Sequence, residues 1–363
     1  MTPENALLEL LSIGQSDPSA CASPKKLTTF TLRKQVIEHP TFTLAIREIA
    51  RLHQRGKFAG VAEGMLLVAQ TGSGKTTALK FYERKFPRIA RKTGIRIPVL
   101  RVDTPESPTV KTLAEAILFA LGDPSATKGT ATAMTNRIIH FFKECGIELL
   151  LIDEFQHFYD GRRLAESRRV SDWLKNLINK VGIPVIIAGL PRSIAVVNAN
   201  PQLRRRFGAP HYMEPFSFDT REQQLEFRGI LNGIQARLPM RCIDIAEPSM
   251  AQRFFYATHG LIDYIVKIID DAVSRSANET DRCLTQEDFA LAFRRSVWMD
   301  APDHLNPFSA NATLRLLTKP LEPFDVWDDI AQYTSMQSTK KPRFTGLARL
   351  AELTGLVRHG ESA

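Results

Sequence analysis

The feature that most constrains the fold is the stretch LLVAQTGSGKTTALKFY, residues 66–82. An apolar run that leads into a glycine-rich turn and then into a helical pattern is typical of a phosphate-binding loop between a strand and a helix. The pattern G-x-x-x-x-G-K-[ST] is complete except at its first position, where Ala69 replaces glycine. Alanine adds one methyl group, which is acceptable unless the position needs a positive φ. The sequence therefore predicts a nucleotide-binding chain.

The residue types of this loop suit contact with phosphate groups. Gly72 and Gly74 would let backbone N–H groups turn inward around the phosphates, where the positive end of the following helix adds attraction. Lys75 is expected to reach the β and γ phosphates, and the hydroxyl of Thr76 to hold Mg²⁺. A glycine-rich loop without function is the alternative, but here strand, loop, GKT and helix occur together. The predicted nucleotide contacts are Ala69, Thr71, Gly72, Ser73, Gly74, Lys75, Thr76 and Thr77.

A second motif supports the first. The segment IELLLIDEFQHF, which starts at Ile147, is an apolar run that ends in two carboxylates. In P-loop ATPases an aspartate at this position supports the Mg²⁺ shell, and the adjacent glutamate polarises the attacking water. We assign these roles to Asp153 and Glu154. Such a pair is common by chance, so its weight comes from the loop that precedes it, and the two motifs together predict ATP and Mg²⁺ as cofactors.

The segment QLRRRF, residues 202–207, carries Arg204, Arg205 and Arg206 in a row. Three consecutive arginines are usually a solvated face or a patch that meets nucleic acid. The sharper interpretation is an arginine finger, a guanidinium that one subunit presents to the γ-phosphate bound by its neighbour. The run lies just before the predicted last strand of the core, which favours the finger. That interpretation requires an oligomer.

Apolar runs alternate with helical patterns through the middle of the chain. Strands are predicted from Met65, Ile97, Ile147, Pro184 and His211, with helices between them. This order argues for a parallel sheet covered on both faces, and the fold class is therefore α/β. Farther on the pattern becomes helical, which predicts a small second domain. The expected organisation is an N-terminal arm at 1–39, a core at 40–217, a helical lid at 218–297 and a C-terminal extension at 298–363.

Composition limits the class of partner and the compartment. The chain of 363 residues has a formal net charge of +9, which favours an anionic partner such as nucleic acid, although basic proteins without one are common. The four cysteines form no C-x-x-C pair, so neither a zinc site nor a disulfide framework is predicted. The N-terminus lacks a signal-peptide pattern, and no apolar run is long enough to span a bilayer. We expect a cytoplasmic protein without a membrane partner.

These motifs together resemble the AAA+ ATPases that regulate DNA transposition, the TniB and TnsC group, over roughly residues 40–295. Beside the phosphate loop and LLLIDEFQHF, the specific features are IPVIIAGLPRSIAVVNANPQLRRRF and THGLIDYIVKIIDDA. The resemblance implies an AAA+ core with a small C-terminal helical lid. In this group the ATP-bound subunits assemble as a helical filament on duplex DNA, recruit the transposase and help to select the target.

The resemblance also implies which residues touch DNA. Members of the group carry basic and hydroxyl residues on the loops and helix after the second strand, and the matching residues are Lys111, Lys128 and Thr130. Contacts of this kind hold phosphates and give little sequence specificity. Either lysine taken singly could equally be an ordinary solvated residue. The expected partners are double-stranded DNA, further copies of the chain, a transposase and a target-selection protein.

Two positions depart from the pattern of this group. Gly189, Leu190 and Pro191 stand at the end of the fourth strand, where many AAA+ proteins have a polar sensor residue. In the lid motif the expected arginine falls near Tyr264. No arginine is present there, and the nearest basic residue in that helix is Lys267. These departures favour a slow ATPase that serves as a switch over a fast motor.

Two further alternatives stay open. The chain could be a P-loop ATPase switch outside transposition, such as a helicase loader or a signalling ATPase with a protein partner. The C-terminal extension, with its basic tail from Lys340, is a candidate for recruiting the transposase or another transposition protein, and a disordered tail is the alternative for about its final 30 residues.

Overall fold

Five parallel strands form the central sheet, and each of them was predicted from an apolar run. The computed structural model describes residues 30–92, 94–160, 164–276 and 282–325. Most of the predicted arm and the tail from Lys340 lie outside the described residues. The strands are β1 Gly64–Ala69, β2 Ile89–Arg91, β3 Gly94–Arg96, β4 Val99–Asp103, β5 Leu149–Asp153, β6 Val185–Gly189, β7 His211–Met213, β8 Arg241–Cys242 and β9 Cys283–Leu284.

The sheet has the order β4-β5-β6-β1-β7, so β1 lies between β6 and β7. Helices connect its strands, and further helices follow β7. They are α1 Pro40–Ala59, α2 Lys75–Arg84, α3 Val110–Leu121, α4 Ala131–Glu144, α5 His157–Asp160, α6 Leu164–Val181, α7 Ser193–Asn198, α8 Pro201–Arg204, α9 Arg221–Gln235, α10 Pro248–Thr258, α11 Ile262–Ser276 and α12 Gln286–Ser296.

Alternate residues of the strands pack into two cores, one on each face of the sheet. In β1, Leu66 and Val68 contact the core that α3, α4 and α6 cover, whereas Leu67 and Ala69 contact the core that α1 and α2 cover. All residues of β1, β5 and β6 are buried. Strands buried on both faces are continuous apolar runs, which is why they could be predicted without any polar alternation. The predicted α/β fold class is confirmed.

The helices after β7 have a core of their own. It contains Phe227 and Phe254, but also Leu32 from the segment before α1 and Phe308 and Phe324 from the segment after α12. Chain segments from both sides therefore complete the packing of the helical lid. The boundaries predicted at 39, 217 and 297 stay predictions.

A β-hairpin lies between α2 and β4 and was not predicted from the sequence. Strands β2 and β3 pair antiparallel with each other outside the central sheet. Ile89 and Ile95 are about half exposed, at 46% and 52%. The strands are three residues long and lack a buried face, so they carry no apolar periodicity that a sequence pattern could reveal. Among the helices of the described residues, none combines the length and the apolarity that a membrane span needs.

A close backbone contact at Gly260 connects the turn before α11 with the segment after β7. The Gly260 carbonyl accepts a hydrogen bond from the N–H of Phe216 at 2.9 Å. Gly260 has a φ of +68°, and a Cβ at this position would lie 2.0 Å from the carbonyl oxygen of Phe216. Glycine is needed here both for its backbone conformation and for the space. Gly60, with a φ of +65°, has the same conformation but open space around it.

Alanine substitution at these two glycines should separate the cost of a strained backbone conformation from the cost of steric overlap. Gly60→Ala should cost about 1–2 kcal/mol of unfolding free energy, the penalty of a left-handed backbone for alanine. Gly260→Ala should cost at least about 2 kcal/mol more, because the backbone of Phe216 must also move. Urea unfolding of both variants measures the difference. Equal losses would mean that the close contact with Phe216 adds nothing to the cost of a side chain at Gly260.

Candidate nucleotide-binding site

The phosphate loop lies between the carboxyl end of β1 and the first residue of α2. Ala69 is the last residue of β1 and pairs in register with Met213 of β7. It is not among the residues with a positive φ, which in the described chain include Glu154. The position therefore does not use the conformational freedom of glycine, and the methyl group of Ala69 is accommodated in the core below the loop.

The two loop glycines do use that freedom. Gly72 has a φ of +84° and Gly74 a φ of +91°. Gly74 is the N-cap residue of α2 and provides no side-chain hydrogen bond to the helix. The first N–H groups of α2 thus lack the usual side-chain cap, and such groups at a helix N-terminus are suited to bind a phosphate anion.

Two polar side chains are buried inside the loop. The Lys75 ammonium donates to the carbonyl oxygens of Ala69 at 3.0 Å and of Gln70 at 3.1 Å. Ser73 is 5% exposed, and its Oγ has no hydrogen-bond partner among the described residues. A buried hydroxyl without a partner is rare in folded proteins and indicates a ligand contact. The loop therefore fits a phosphate chain.

Asp153 is the last residue of β5 and Glu154 follows it, at the same edge of the sheet as the loop. Asp153 is fully buried, and burial raises the pKa of its carboxyl above the ordinary value. The hydroxyl of Thr76 and the N–H of Glu154 hydrogen-bond this carboxylate and offset part of that effect. A carboxylate beside a hydroxyl is the oxygen donor set that Mg²⁺ uses together with phosphate and water. These residues fit a magnesium ion.

Gln156, which is not among the predicted site residues, contacts Glu154, which has an unusual backbone conformation. The φ of Glu154 is +54°, which is uncommon for a residue other than glycine and is often found at functional sites. The side-chain amide of Gln156 donates to the Glu154 carboxylate, and its oxygen accepts from the N–H of Leu190 at 3.2 Å. Gln156 is 4% exposed. It therefore connects Glu154 with the end of β6.

The absence of a polar side chain at the end of β6 has a steric reason. A Cβ at Gly189 would lie 2.1 Å from Oγ of Ser193 and 2.9 Å from Oε1 of Gln156. Glycine leaves the space in which the Gln156 amide approaches Glu154. The polar group at this place is the Gln156 amide, which comes from the turn after β5, the strand next to β6.

A cavity of about 420 Å³ extends from the phosphate loop to the lid. Its polar part contains Lys75, Thr76 and Glu154. Its apolar part is formed by residues that were not predicted as site residues, because they lie in the predicted arm, at the start of the predicted core and in the lid. They are Leu32, Ile37 and Phe42 before or at the start of α1, and Ile262 and Val266 of α11.

The arginine run lies at the opposite edge of the sheet. The N–H of Gly64, the first residue of β1, donates to the carbonyl of Arg206 at 2.8 Å. The Arg206 side chain donates to the carbonyl of Ala62 at 3.3 Å and to the side chain of Asn179. Arg204 and Arg205 are exposed. The length of β1, about 17 Å, separates this edge from the loop of the same chain.

The predicted DNA contacts lie on or near two helices beside the sheet. Lys111 is in the first turn of α3 and forms an ion pair of 3.8 Å with Glu115. Lys128 is exposed in the loop between α3 and α4. Thr130 caps α4, where its hydroxyl accepts from the N–H of Ala133 at 3.2 Å. The structure brings Lys128 and Thr130 close together but leaves Lys111 at the other end of α3.

The amino-acid sequence of the chain is similar to a protein family and to a curated protein. A family model described as bacterial TniB protein matches residues 28–217, more than half of the 363-residue chain. The chain is also 24% identical, over 132 residues, to the ORC1-type DNA replication protein 2 of Saccharolobus solfataricus, and the match covers 35% of this chain and 32% of that protein. The chain thus spans about a third of the length of that curated relative.

Solved structures share the fold at low identity. The ORC2 protein of Aeropyrum pernix, in ADPNP and ADP complexes, has a TM-score of 0.55 at 15% identity over 77% of this chain and 73% of its own. The ORC1 protein of the same organism, in complex with DNA, has a TM-score of 0.52 at 15% identity over 71% of this chain and 65% of its own. This likeness shows the fold of an AAA+ P-loop ATPase.

The burial of His39 predicts that the folded protein loses stability in acid. Nδ1 of His39 accepts from the N–H of Phe42 at 3.3 Å and caps α1 at the border of the cavity. Burial lowers the pKa of His39 to about 4, from 6.5. The stability that this group contributes is present above pH 6.5 and is lost as the pH falls from 6.5 to about 4. The loss amounts to about 3 kcal/mol over this window.

The variant His39→Asn keeps a favourable N-cap but cannot titrate in this range. Chemical unfolding at several pH values should show a smaller loss of stability for the variant than for the native protein between pH 6.5 and 4. Identical pH dependence of the two proteins would show that His39 does not contribute to it.

Proposed function

This chain belongs to the family of bacterial TniB proteins, and from that premise we propose that it is an ATP-dependent regulator of DNA transposition. In its ATP state the protein oligomerises on duplex DNA, without reading sequence, and recruits the transposase and a target-selection protein. Hydrolysis of ATP releases the assembly. The whole protein acts as a switch, and its turnover is slow.

The observation that carries the ATPase part of the proposal is the meeting of the phosphate loop and Glu154 in one cavity. Bound Mg²⁺-ATP would supply the phosphoanhydride bond and a divalent charge that polarises it. The Lys75 ammonium, which donates to the loop carbonyls, would contact the β and γ phosphates, and Thr76 and Asp153 would hold the metal. Glu154 orients the attacking water and accepts its proton. Gln156 is a positioning residue that holds the Glu154 carboxylate.

The oligomeric part of the proposal is supported by the position of the arginine run. Arg204 and Arg205 cannot reach their own phosphate loop, because β1 separates the two edges. Both are exposed. A residue that contacts the nucleotide of a neighbouring subunit must be exposed in the single chain. The Arg206 side chain already donates hydrogen bonds to the carbonyl of Ala62 and to the side chain of Asn179. We therefore propose Arg204 or Arg205 as the finger, and assign Arg206 to the support of β1.

The DNA part of the proposal is supported by charge and by fold. The chain has a formal net charge of +9, and Lys128 is exposed beside Thr130. The ORC1 protein of Aeropyrum pernix, which shares the fold, was solved in complex with DNA. Lys111, Lys128 and Thr130 would contact phosphates, so that affinity would fall steeply with salt.

A second candidate function is favoured by the ORC1-type replication protein among the relatives. In that case the chain would be an ATPase switch outside transposition, comparable to a helicase loader or a signalling ATPase, with a protein partner. The two candidates differ in whether duplex DNA is bound cooperatively.

The experiment that tests the proposal is binding to a fluorescent duplex of random sequence at several salt concentrations. With a non-hydrolysable ATP analogue, the protein should bind cooperatively, and binding should weaken steeply with salt; with ADP or without nucleotide it should bind little. Glu154→Gln should keep ATP-dependent DNA binding, should lower hydrolysis by about 10²-fold or more, and should stay on the duplex after ATP is added. The exposed Glu144→Gln is the matched control and should behave as the native protein does.

Two outcomes would contradict the proposal. If the protein does not bind the duplex in any nucleotide state, the DNA part of the proposal is wrong and the second candidate function is favoured. If Glu154→Gln hydrolyses ATP at the native rate, Glu154 is not the residue that activates water.

A further inference from the structure

The first turn of α11 lies directly on the phosphate loop. The N–H of Asp263 donates to the carbonyl of Gly72 at 3.1 Å. A Cβ at Gly72 would lie only 3.3 Å from the Cβ of Asp263. A carboxylate is thus placed beside a loop that must attract phosphate groups. Without compensation its charge would repel them, since like charges a few ångströms apart repel strongly where water is partly excluded.

Two cations compensate this carboxylate. Lys267, one turn later in α11, lies 2.6 Å from Oδ2 of Asp263, and it also lies 4.6 Å from the centre of the Tyr264 ring. Arg33 lies 3.8 Å from Oδ1 of the same carboxylate and belongs to the segment before α1. Two positive charges against one negative charge leave an excess of one positive charge beside the phosphate loop. Arg33 and Asp263 both line the cavity.

Arg33 is attached to the lid although it lies far from the lid in sequence. The Asp270 carboxylate of α11 accepts from the hydroxyl of Thr31 at 2.5 Å and from the N–H of Leu32 at 2.8 Å. The side chain of Leu32 is fully buried in the core of the lid. The backbone on the N-terminal side of Arg33 is therefore attached to α11, so that Arg33 extends from the same packed unit as the side chains of α11.

The pairing of Arg33 with Asp263 is loose. The contact is long at 3.8 Å, and the Arg33 side chain is 54% exposed. An exposed ion pair of this kind contributes little stability. A guanidinium can form two parallel, charge-assisted hydrogen bonds to a phosphate, which is a stronger interaction than this pair. Arg33 can therefore leave the carboxylate when a better anion is offered.

We propose that Arg33 binds the terminal phosphate of a nucleoside triphosphate and thereby couples the position of the lid to the state of the nucleotide. The proposal rests on the proposed function, since it needs ATP in this cavity. Arg33 supplies, from the segment before α1, the cation that α11 lacks near Tyr264. Asp263 holds Arg33 close to the loop, and Asp270 attaches it to the lid.

The test compares the affinity for a fluorescent, non-hydrolysable ATP analogue with the affinity for the corresponding ADP analogue. Arg33→Ala should weaken binding of the triphosphate about ten-fold or more and binding of the diphosphate much less. Lys34→Ala is the matched control, because Lys34 is the adjacent exposed cation and does not line the cavity. Both affinities of this control should equal those of the native protein.

A second variant tests the attachment to the lid. Asp270→Ala leaves Arg33 in the chain but removes its anchor, and it should also reduce the preference for the triphosphate. Thermal unfolding of each variant without nucleotide checks that the protein is folded.

The outcomes separate this inference from the proposed function. If the native protein binds neither nucleotide, the proposed function is wrong, and the inference falls with it. If the native protein binds both but Arg33→Ala has the native preference for the triphosphate, only the inference is wrong. Equal weakening of triphosphate and diphosphate would also overturn it, because Arg33 would then not contact the terminal phosphate.

Discussion

The pairing of β1 with both of its neighbours is the constraint on which the rest of the structure depends. β1 pairs with β6 through Gly64 to Val68 and with β7 through Leu67 to Ala69. Because all these strands are parallel, their carboxyl ends meet at one edge of the sheet, where ligands bind in open α/β folds. The phosphate loop, Gly189 and the approach to the lid all start from this edge. A shift in the register of β1 would separate them.

The same pairing gives the subunit two different edges. The carboxyl edge has the loop glycines, the carboxylates of Asp153 and Glu154, and the cavity, whereas the amino edge has the arginine run that is hydrogen-bonded to Gly64. A larger cavity, of about 520 Å³, lies at the amino edge beside Arg205 and Arg206 and contains none of the phosphate-loop residues. An arrangement in which one edge meets the other edge of the next copy is heterologous, and such contacts form rings or helical filaments. The proposed ATP-dependent filament on DNA would use a contact of this kind.

The central elements could be predicted from the sequence because each has a local signal. The strand LLLID is a continuous apolar run, and the loop has its glycines and lysine in a fixed order. The roles of Arg33, His39 and Gln156 could not be predicted in this way. Arg33 and His39 reach the cavity only because Asp270 and the core of the lid fix the segment before α1. Gln156 approaches Glu154 only because Gly189 leaves space on another strand.

The central claim is that the catalytic site is shared between two copies of the chain. The most direct measurement is ATP hydrolysis by a mixture of two inactive variants, Lys75→Ala and the double variant Arg204→Ala, Arg205→Ala, each first measured alone. The account predicts that each variant is inactive alone and that the mixture recovers hydrolysis, since the double variant keeps an intact phosphate loop and Lys75→Ala still offers its arginines. A double variant that hydrolyses ATP alone at the native rate, or a mixture that stays inactive although the two variants assemble together, would contradict the account.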